Sequence, residues 1–149
     1  MHFRADIAVL NQQGGPTVLF EAKSKVGTTP DWAAAMRRNL AAHGLATPAL
    51  YFVLATPDRF YFWLNKTMSV DPVPPDFSFD PTTALEPYYS RARIRPGEMG
   101  EDSFELVLAS WLGELIQGSG AERLPTEVLE WMQRSGFLDA IQGGRLQQN

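Results

Sequence analysis

The fold is decided by residues 4–23, which have the sequence RADIAVLNQQGGPTVLFEAK. The segments 4–11 and 16–23 are rich in aliphatic, β-branched and aromatic residues, whereas residues 12–15 (QQGG) have the composition of a turn. This pattern predicts an antiparallel hairpin. If residues 12–15 form a four-residue loop, Asn11 pairs with Pro16, and Asp6 on the first strand then lies directly opposite Glu21 on the second.

Asp6, Glu21 and Lys23 therefore fall on one face of the predicted hairpin. Opposing Cβ atoms on such a face are about 4.5–5.5 Å apart, and two carboxylates at that separation repel each other unless a cation neutralises them. Carboxylate oxygens are ligands that suit Mg²⁺ or Mn²⁺. Lys23 lies two residues after Glu21 on the same face, where its ammonium can orient an attacking water or neutralise charge on a phosphate. A register slip of one residue would move Asp6 to the other face.

A helix and two further strands are predicted after the hairpin. Thr29 is suited to cap a helix and Pro30 to its first position, and Gly44 provides a stop after about His43. The apolar run 49–55 is typical of a central strand that is covered on both faces. Residues 59–64 predict one more strand. The order β-β-α-β-β indicates a mixed sheet with a helical crossover.

The remainder of the chain is predicted to be helical. Residues 65–102 contain six prolines and form a connecting region in which a short helix near 85–90 is expected. A strongly apolar helix is predicted over 103–117, and a last helix follows Pro125 and ends near Gly136 before one more helical turn. We expect a single domain over 1–149, with a sheet core at 1–64 and C-terminal helices at 103–149.

The pairing of Asp6 with the triplet Glu21-Ala22-Lys23 on an adjacent strand resembles the PD-(D/E)XK nuclease superfamily. The resemblance covers roughly residues 4–64 and implies an α/β fold with a restriction-endonuclease-like mixed sheet, a crossover helix and, here, additional C-terminal helices. It implies that Asp6, Glu21 and the backbone of Ala22 bind Mg²⁺ or Mn²⁺, and that Lys23 is the catalytic lysine. Members usually have an N-terminal helix that often contributes an acidic residue. Here that helix is either lost by truncation or replaced by another element or subunit.

Three further basic residues border the expected site. Lys25, Arg37 and Arg38 are candidate phosphate contacts, but ordinary solvated charge is the interpretation that we favour for them. Residues 1–60 carry six basic and four acidic residues, against seven and thirteen in the remainder. A nucleic acid would therefore bind the N-terminal half, and DNA is the partner that we expect.

Composition narrows the remaining classes of function. The chain has no cysteine, which excludes disulfides and thiolate metal sites, and it contains no GxxxxGK, GxSxG or HExxH motif. With no apolar run long enough to span a bilayer, a cytoplasmic protein without membrane contact is predicted. The leading hypothesis is a nuclease. The alternatives are a catalytically inactive nuclease-like binding or assembly module and a purely structural domain, and a homodimer is an open question in each case.

Overall fold

The computed structural model describes residues 5–43, 49–64 and 71–148, and its framework is a sheet. Six strands build this sheet: β1 (Ile7–Leu10), β2 (Pro16–Ala22), β3 (Tyr51–Thr56), β4 (Arg59–Leu64), β5 (Phe77–Phe79) and β6 (Arg145–Gln148). Their spatial order is β5-β4-β3-β2-β1-β6. Strands β2 and β3 are parallel, and every other neighbouring pair is antiparallel. The predicted mixed α/β fold is confirmed at this level.

The described residues also form five α-helices. They are α1 (Pro30–Ala42), α2 (Thr82–Ala92), α3 (Glu101–Ile116), α4 (Thr126–Arg134) and α5 (Phe137–Ile141). Helix α1 makes the crossover that two adjacent parallel strands require. Its predicted start is confirmed, because Pro30 is its first residue and the Thr29 hydroxyl accepts a hydrogen bond from the Trp32 N–H at 3.1 Å.

The first hairpin has the predicted register at its open end but not at its turn. Ile7 pairs with Phe20, and this register places Asp6 opposite Glu21 when it is continued by one residue. At the turn, Leu10 rather than Asn11 lies opposite Pro16. The Asn11 side chain explains the difference, because its Oδ1 accepts hydrogen bonds from the N–H groups of Gln13 and Gly15 and so draws Asn11 into the loop.

The sheet is buried on both faces, and the two faces are covered differently. One face packs against α2, α3, α4 and α5 through aromatic and aliphatic residues such as Phe20, Phe62 and Trp111. The other face packs against α1 and includes Leu19 and Trp63. The aromatic residues of β3 and β4 are buried and contribute to core packing.

The described part of the predicted connecting region, residues 71–102, contains more regular structure than a connection would. Strand β5 extends the sheet at one edge, and α2 runs from Thr82 to Ala92 with Pro87 inside it, well beyond the short helix expected at 85–90. Strand β6 was not predicted either. It follows the predicted last helical turn, α5, and pairs with β1 at the opposite edge of the sheet. The C-terminal residues therefore complete the sheet that the N-terminal residues begin.

Some predicted features fall outside the described residues. These are Arg4 at the start of the first predicted strand, Gly44 as the stop for α1, and the boundary near Asn65. Across the described ranges, no helix is both long and apolar enough to cross a lipid bilayer.

Candidate active site

The candidate site lies where β1 begins and β2 ends. Asp6 immediately precedes β1, and its Oδ2 accepts a hydrogen bond from the Ala22 N–H at 2.8 Å. This bond ties the first acidic residue to the middle of the Glu21-Ala22-Lys23 triplet. The structure thus brings together the residues that the hairpin geometry predicted to be neighbours.

Glu21 is the buried acid of this group. Glu21 is an ionisable residue and yet only 7% exposed. The other side chains of its strand, β2, are apolar or uncharged. The pKa of the Glu21 carboxyl is raised from 4.5 to about 8, chiefly by burial and in addition by the charge of Asp6 and a hydrogen bond to the Asp6 carboxyl, while the charge of Lys23 opposes the shift. A hydrogen bond between two carboxyls needs one proton. The raised pKa assigns that proton to Glu21 at neutral pH.

A third acid, Glu105 on α3, reaches the same place. Burial, the charge of Asp6 and a hydrogen bond to Asp6 raise the pKa of Glu105 to about 7, and the neighbouring charges of Asp102 and Glu101 act in the same direction. Asp6 therefore interacts with both Glu21 and Glu105. Sequence reasoning missed Glu105, because it assigned α3 only a role in the core. The one available signal was the expectation that a helix contributes an acid to sites of this kind.

The backbone around Ala22 is positioned by both neighbouring strands. The Lys23 N–H donates to the Ala55 carbonyl of β3 at 2.9 Å, which continues the parallel pairing beyond the end of β2. The N–H and C=O of one strand residue point toward the same neighbour. Since the Ala22 N–H is bonded to Asp6, the Ala22 carbonyl also faces the β1 side, where Asp6 lies.

Lys23 is partly exposed at this strand end, and its charge acts on Glu21. The arrangement therefore combines a buried acid, two further carboxyls and one ammonium. Such a group can bind a cation, transfer a proton or stabilise negative charge on a ligand.

The three candidate phosphate contacts have different environments. Lys25 and Arg38 are exposed. Arg37 is 1% exposed, and its guanidinium carbon lies 5.4 Å from the centre of the Trp63 ring. The interpretation of Arg37 as a solvated charge is therefore wrong. Burial lowers the pKa of Arg37, and the charge of Asp76 opposes that shift, so the described contacts of this side chain lie within the fold.

The potential ligands at the end of β2 can be compared with those that Mg²⁺ or Mn²⁺ requires. Within residues 5–43, 49–64 and 71–148, no group of three or more His, Asp or Glu side chains is arranged to hold a metal ion. A site with two carboxylates, a backbone carbonyl and waters does not need such a group, because Mg²⁺ is usually bound through one or two carboxylates. Asp6, Glu21 and the Ala22 carbonyl fit this smaller set.

Comparisons with known proteins do not add to this geometry. No protein-family model, curated protein or solved structure matches the chain.

Proposed function

We propose that this chain is a metal-dependent nuclease that hydrolyses phosphodiester bonds of nucleic acid, with DNA as the expected substrate. The observation that carries the proposal is the contact between Asp6 and Glu21 at the end of β2, beside Lys23. Buried carboxyls with strongly shifted pKa values are concentrated at functional sites. The same contact is what the PD-(D/E)XK resemblance requires.

The surrounding topology supports this reading. The parallel pair β2 and β3, joined by α1, has the element order expected of a restriction-endonuclease-like core. The acid that a preceding helix often provides in that superfamily has a counterpart in Glu105 of α3. We propose that Glu105 takes the part of this acid from α3, which follows the sheet core in sequence.

The groups at this site would have separate roles in hydrolysis. Asp6, Glu21 and the Ala22 carbonyl would hold Mg²⁺ or Mn²⁺. When bound, the ion supplies an acidified water and stabilises charge on the leaving oxygen. Glu21 must release its proton to become a ligand, and the nearby Lys23 ammonium favours that ionised form. The Lys23 side chain would also orient the attacking water or neutralise charge that develops on the phosphate.

Cleavage assays test this proposal directly. Plasmid, linear duplex and single-stranded DNA, and RNA, are incubated with the protein in Mg²⁺, Mn²⁺ or EDTA. We expect cleavage that requires the metal and that disappears in Lys23→Ala, purified identically, whereas Arg134→Ala on the exposed surface of α4 retains it. Cutting that persists in Lys23→Ala would identify a contaminating nuclease.

A second function, a catalytically inactive nuclease-like binding module, is favoured by one observation. Asp6 already accepts the Ala22 N–H, and the raised pKa values of Glu21 and Glu105 favour their neutral forms, which can hydrogen-bond Asp6 without any cation. Calorimetric titration with Mn²⁺ at pH 8 separates the two functions. Saturable binding that is lost in Glu21→Gln supports the nuclease, while absence of both binding and cleavage supports the inactive module.

A further inference from the structure

The loop between β2 and α1 is held in place on both sides. The Gly27 N–H donates to Asp58 Oδ2 at 3.0 Å, and the hydroxyls of Thr28 and Tyr61 are hydrogen-bonded at 2.8 Å. Thr29 then caps α1. These bonds fix the exposed residues of the loop relative to Lys23, where the loop begins.

A cation of this loop lies over an aromatic ring in the first turn of α1. The Lys25 Nζ is 5.6 Å from the centre of the Trp32 ring, and Lys25 itself is exposed. Val26, next to Lys25, is 62% exposed. The loop and the first turn of α1 therefore present a surface that combines the apolar Val26, the aromatic Trp32 and the positive charge of Lys25. This surface follows closely in sequence after Lys23, the candidate catalytic lysine.

Trp32 differs from the other tryptophans of the chain. Trp63 and Trp111 are each 1% exposed and Trp131 is 9% exposed, and all three are part of the core. Trp32 is only partly buried; it packs against the core that faces α1, with its ring centre 6.5 Å from that of Tyr61. The indole is thus anchored against the core, and the ammonium of Lys25 from the exposed loop lies over its ring.

We propose that Trp32 and Lys25 form a subsite that stacks one base of a single-stranded nucleic acid and binds the adjoining phosphate. An aromatic side chain beside a cation is the combination by which proteins bind single strands without reading their sequence. The Cα atoms of Lys23 and Lys25 are at most roughly 7 Å apart, since two residues span no more in an extended chain. A base on Trp32 therefore belongs to a nucleotide close to the phosphate at Lys23.

The proposal selects single strands over duplexes for a geometric reason. A stacked, paired base presents its edges and not its face, so Trp32 can stack only on a base that is unpaired or displaced. On binding, the Lys25 ammonium leaves the ring and contacts phosphate, while the base takes its place. This inference rests on the proposed nuclease function, because it assigns that site its substrate class.

Fluorescence and anisotropy titrations without metal test the subsite separately from catalysis. The probes are a short oligodeoxythymidylate, an oligouridylate of the same length, and a blunt duplex of two complementary strands, each in EDTA. Because the other tryptophans are buried, we expect both single strands to quench the Trp32 emission saturably. Trp32→Leu should weaken their affinity between about 5- and 150-fold, which is the range for the loss of one base–aromatic stack.

Matched variants keep the result interpretable if Trp32→Leu unfolds the chain. Lys25→Gln removes an exposed charge together with its contact to the Trp32 ring, and it should weaken binding of both single strands and reduce the salt dependence of that binding. Trp32→Phe should bind with intermediate affinity, and Arg134→Gln on α4, which packs on the opposite face of the sheet, should bind like the wild type.

The outcomes separate the subsite from the nuclease proposal. Equal affinity of wild type, Lys25→Gln and Trp32→Phe for the single strands would overturn the subsite, even if the protein cleaves DNA. Tighter binding of the blunt duplex than of the single strands would overturn the subsite as well. Binding that depends on Trp32 in a protein that never cleaves would leave the subsite standing and contradict the nuclease.

Discussion

Replacement of Glu21 by glutamine should increase stability at alkaline pH, and the size of the effect follows from burial. In the folded chain burial raises the pKa of Glu21 to about 8, whereas the unfolded chain keeps the ordinary value of 4.5. Below pH 4.5 the Glu21 carboxyl is protonated in both the folded and the unfolded state, so its titration does not lower the free energy of unfolding. As pH rises from 4.5 to 8, the unfolded state ionises while the folded state retains its proton, so the free energy of unfolding of the wild type falls.

The slope of this fall is at most about 1.4 kcal/mol per pH unit. Over the interval between the two pKa values the upper limit is roughly 5 kcal/mol, and we expect a measured effect of about 2–5 kcal/mol. Glutamine keeps the size of the side chain and a neutral donor toward Asp6, but it has no proton to lose. The free energy of unfolding of Glu21→Gln should therefore equal that of the wild type near pH 4.5, and the variant should become increasingly more stable than the wild type as pH rises to 8.

Urea denaturation in EDTA at a series of pH values measures this difference. Glu130→Gln is the matched control, because Glu130 is exposed on α4, and its stability should stay within about 0.5 kcal/mol of the wild type throughout. The groups that face Glu21 are Asp6 and Lys23, so their variants should change the slope too. Parallel curves for wild type and Glu21→Gln from pH 4.5 to 8 would refute the reasoning.

Three other substitutions test the site and the fold. Gly144→Ala should destabilise the chain by about 1–3 kcal/mol, because a Cβ atom there would lie 2.9 Å from Val9 Cγ1; Gly97→Ala, where a Cβ meets nothing within 4 Å, should be close to neutral in the same urea assay. Thr29→Ala removes the cap of α1 and should cost about 1 kcal/mol, with Thr29→Ser retaining most of the stability; an unchanged denaturation midpoint in the alanine variant would show that the cap is unimportant. Glu105→Gln should weaken Mn²⁺ binding between about 10- and 100-fold in calorimetry while thermal unfolding shows a folded protein, and unaltered affinity would remove Glu105 from the site.

Local sequence patterns predicted the part of the fold in which neighbouring elements contact each other. The hairpin, α1 and the pair β3 and β4 were all indicated by apolar runs, turn residues and a capping threonine. Strand β6 was missed because its sequence, RLQQ, is polar and lacks alternation. An edge strand of this kind is held by hydrogen bonds to its neighbour, here β1, and composition does not reveal that partner.

The site was predicted as far as the hairpin geometry reaches. Asp6 and Glu21 were found because pairing in a hairpin follows from its turn, and an error at Asn11 did not shift the register at the other end. Glu105 could not be found in this way. Nearly a hundred residues separate it from Asp6, and only the packing of α3 against the sheet brings them together. Arg37 was misjudged for a related reason, since Trp63 and Asp76 come from distant segments.

The energetic cost of the carboxyl cluster argues that it serves a function. Glu21 is the only ionisable residue in β2, and the rest of that strand is apolar or uncharged. An apolar residue at this position would avoid the desolvation that raises the pKa of Glu21. A second and a third acid beside it increase the repulsion. Such a local conflict with the rules that govern the rest of a fold is typical of a binding or catalytic site.

A cation between Asp6 and Glu21 would convert this repulsion into attraction. Added Mg²⁺ should then stabilise the wild type at pH 8 but not Glu21→Gln, and equal stabilisation of both would remove the cation from this explanation.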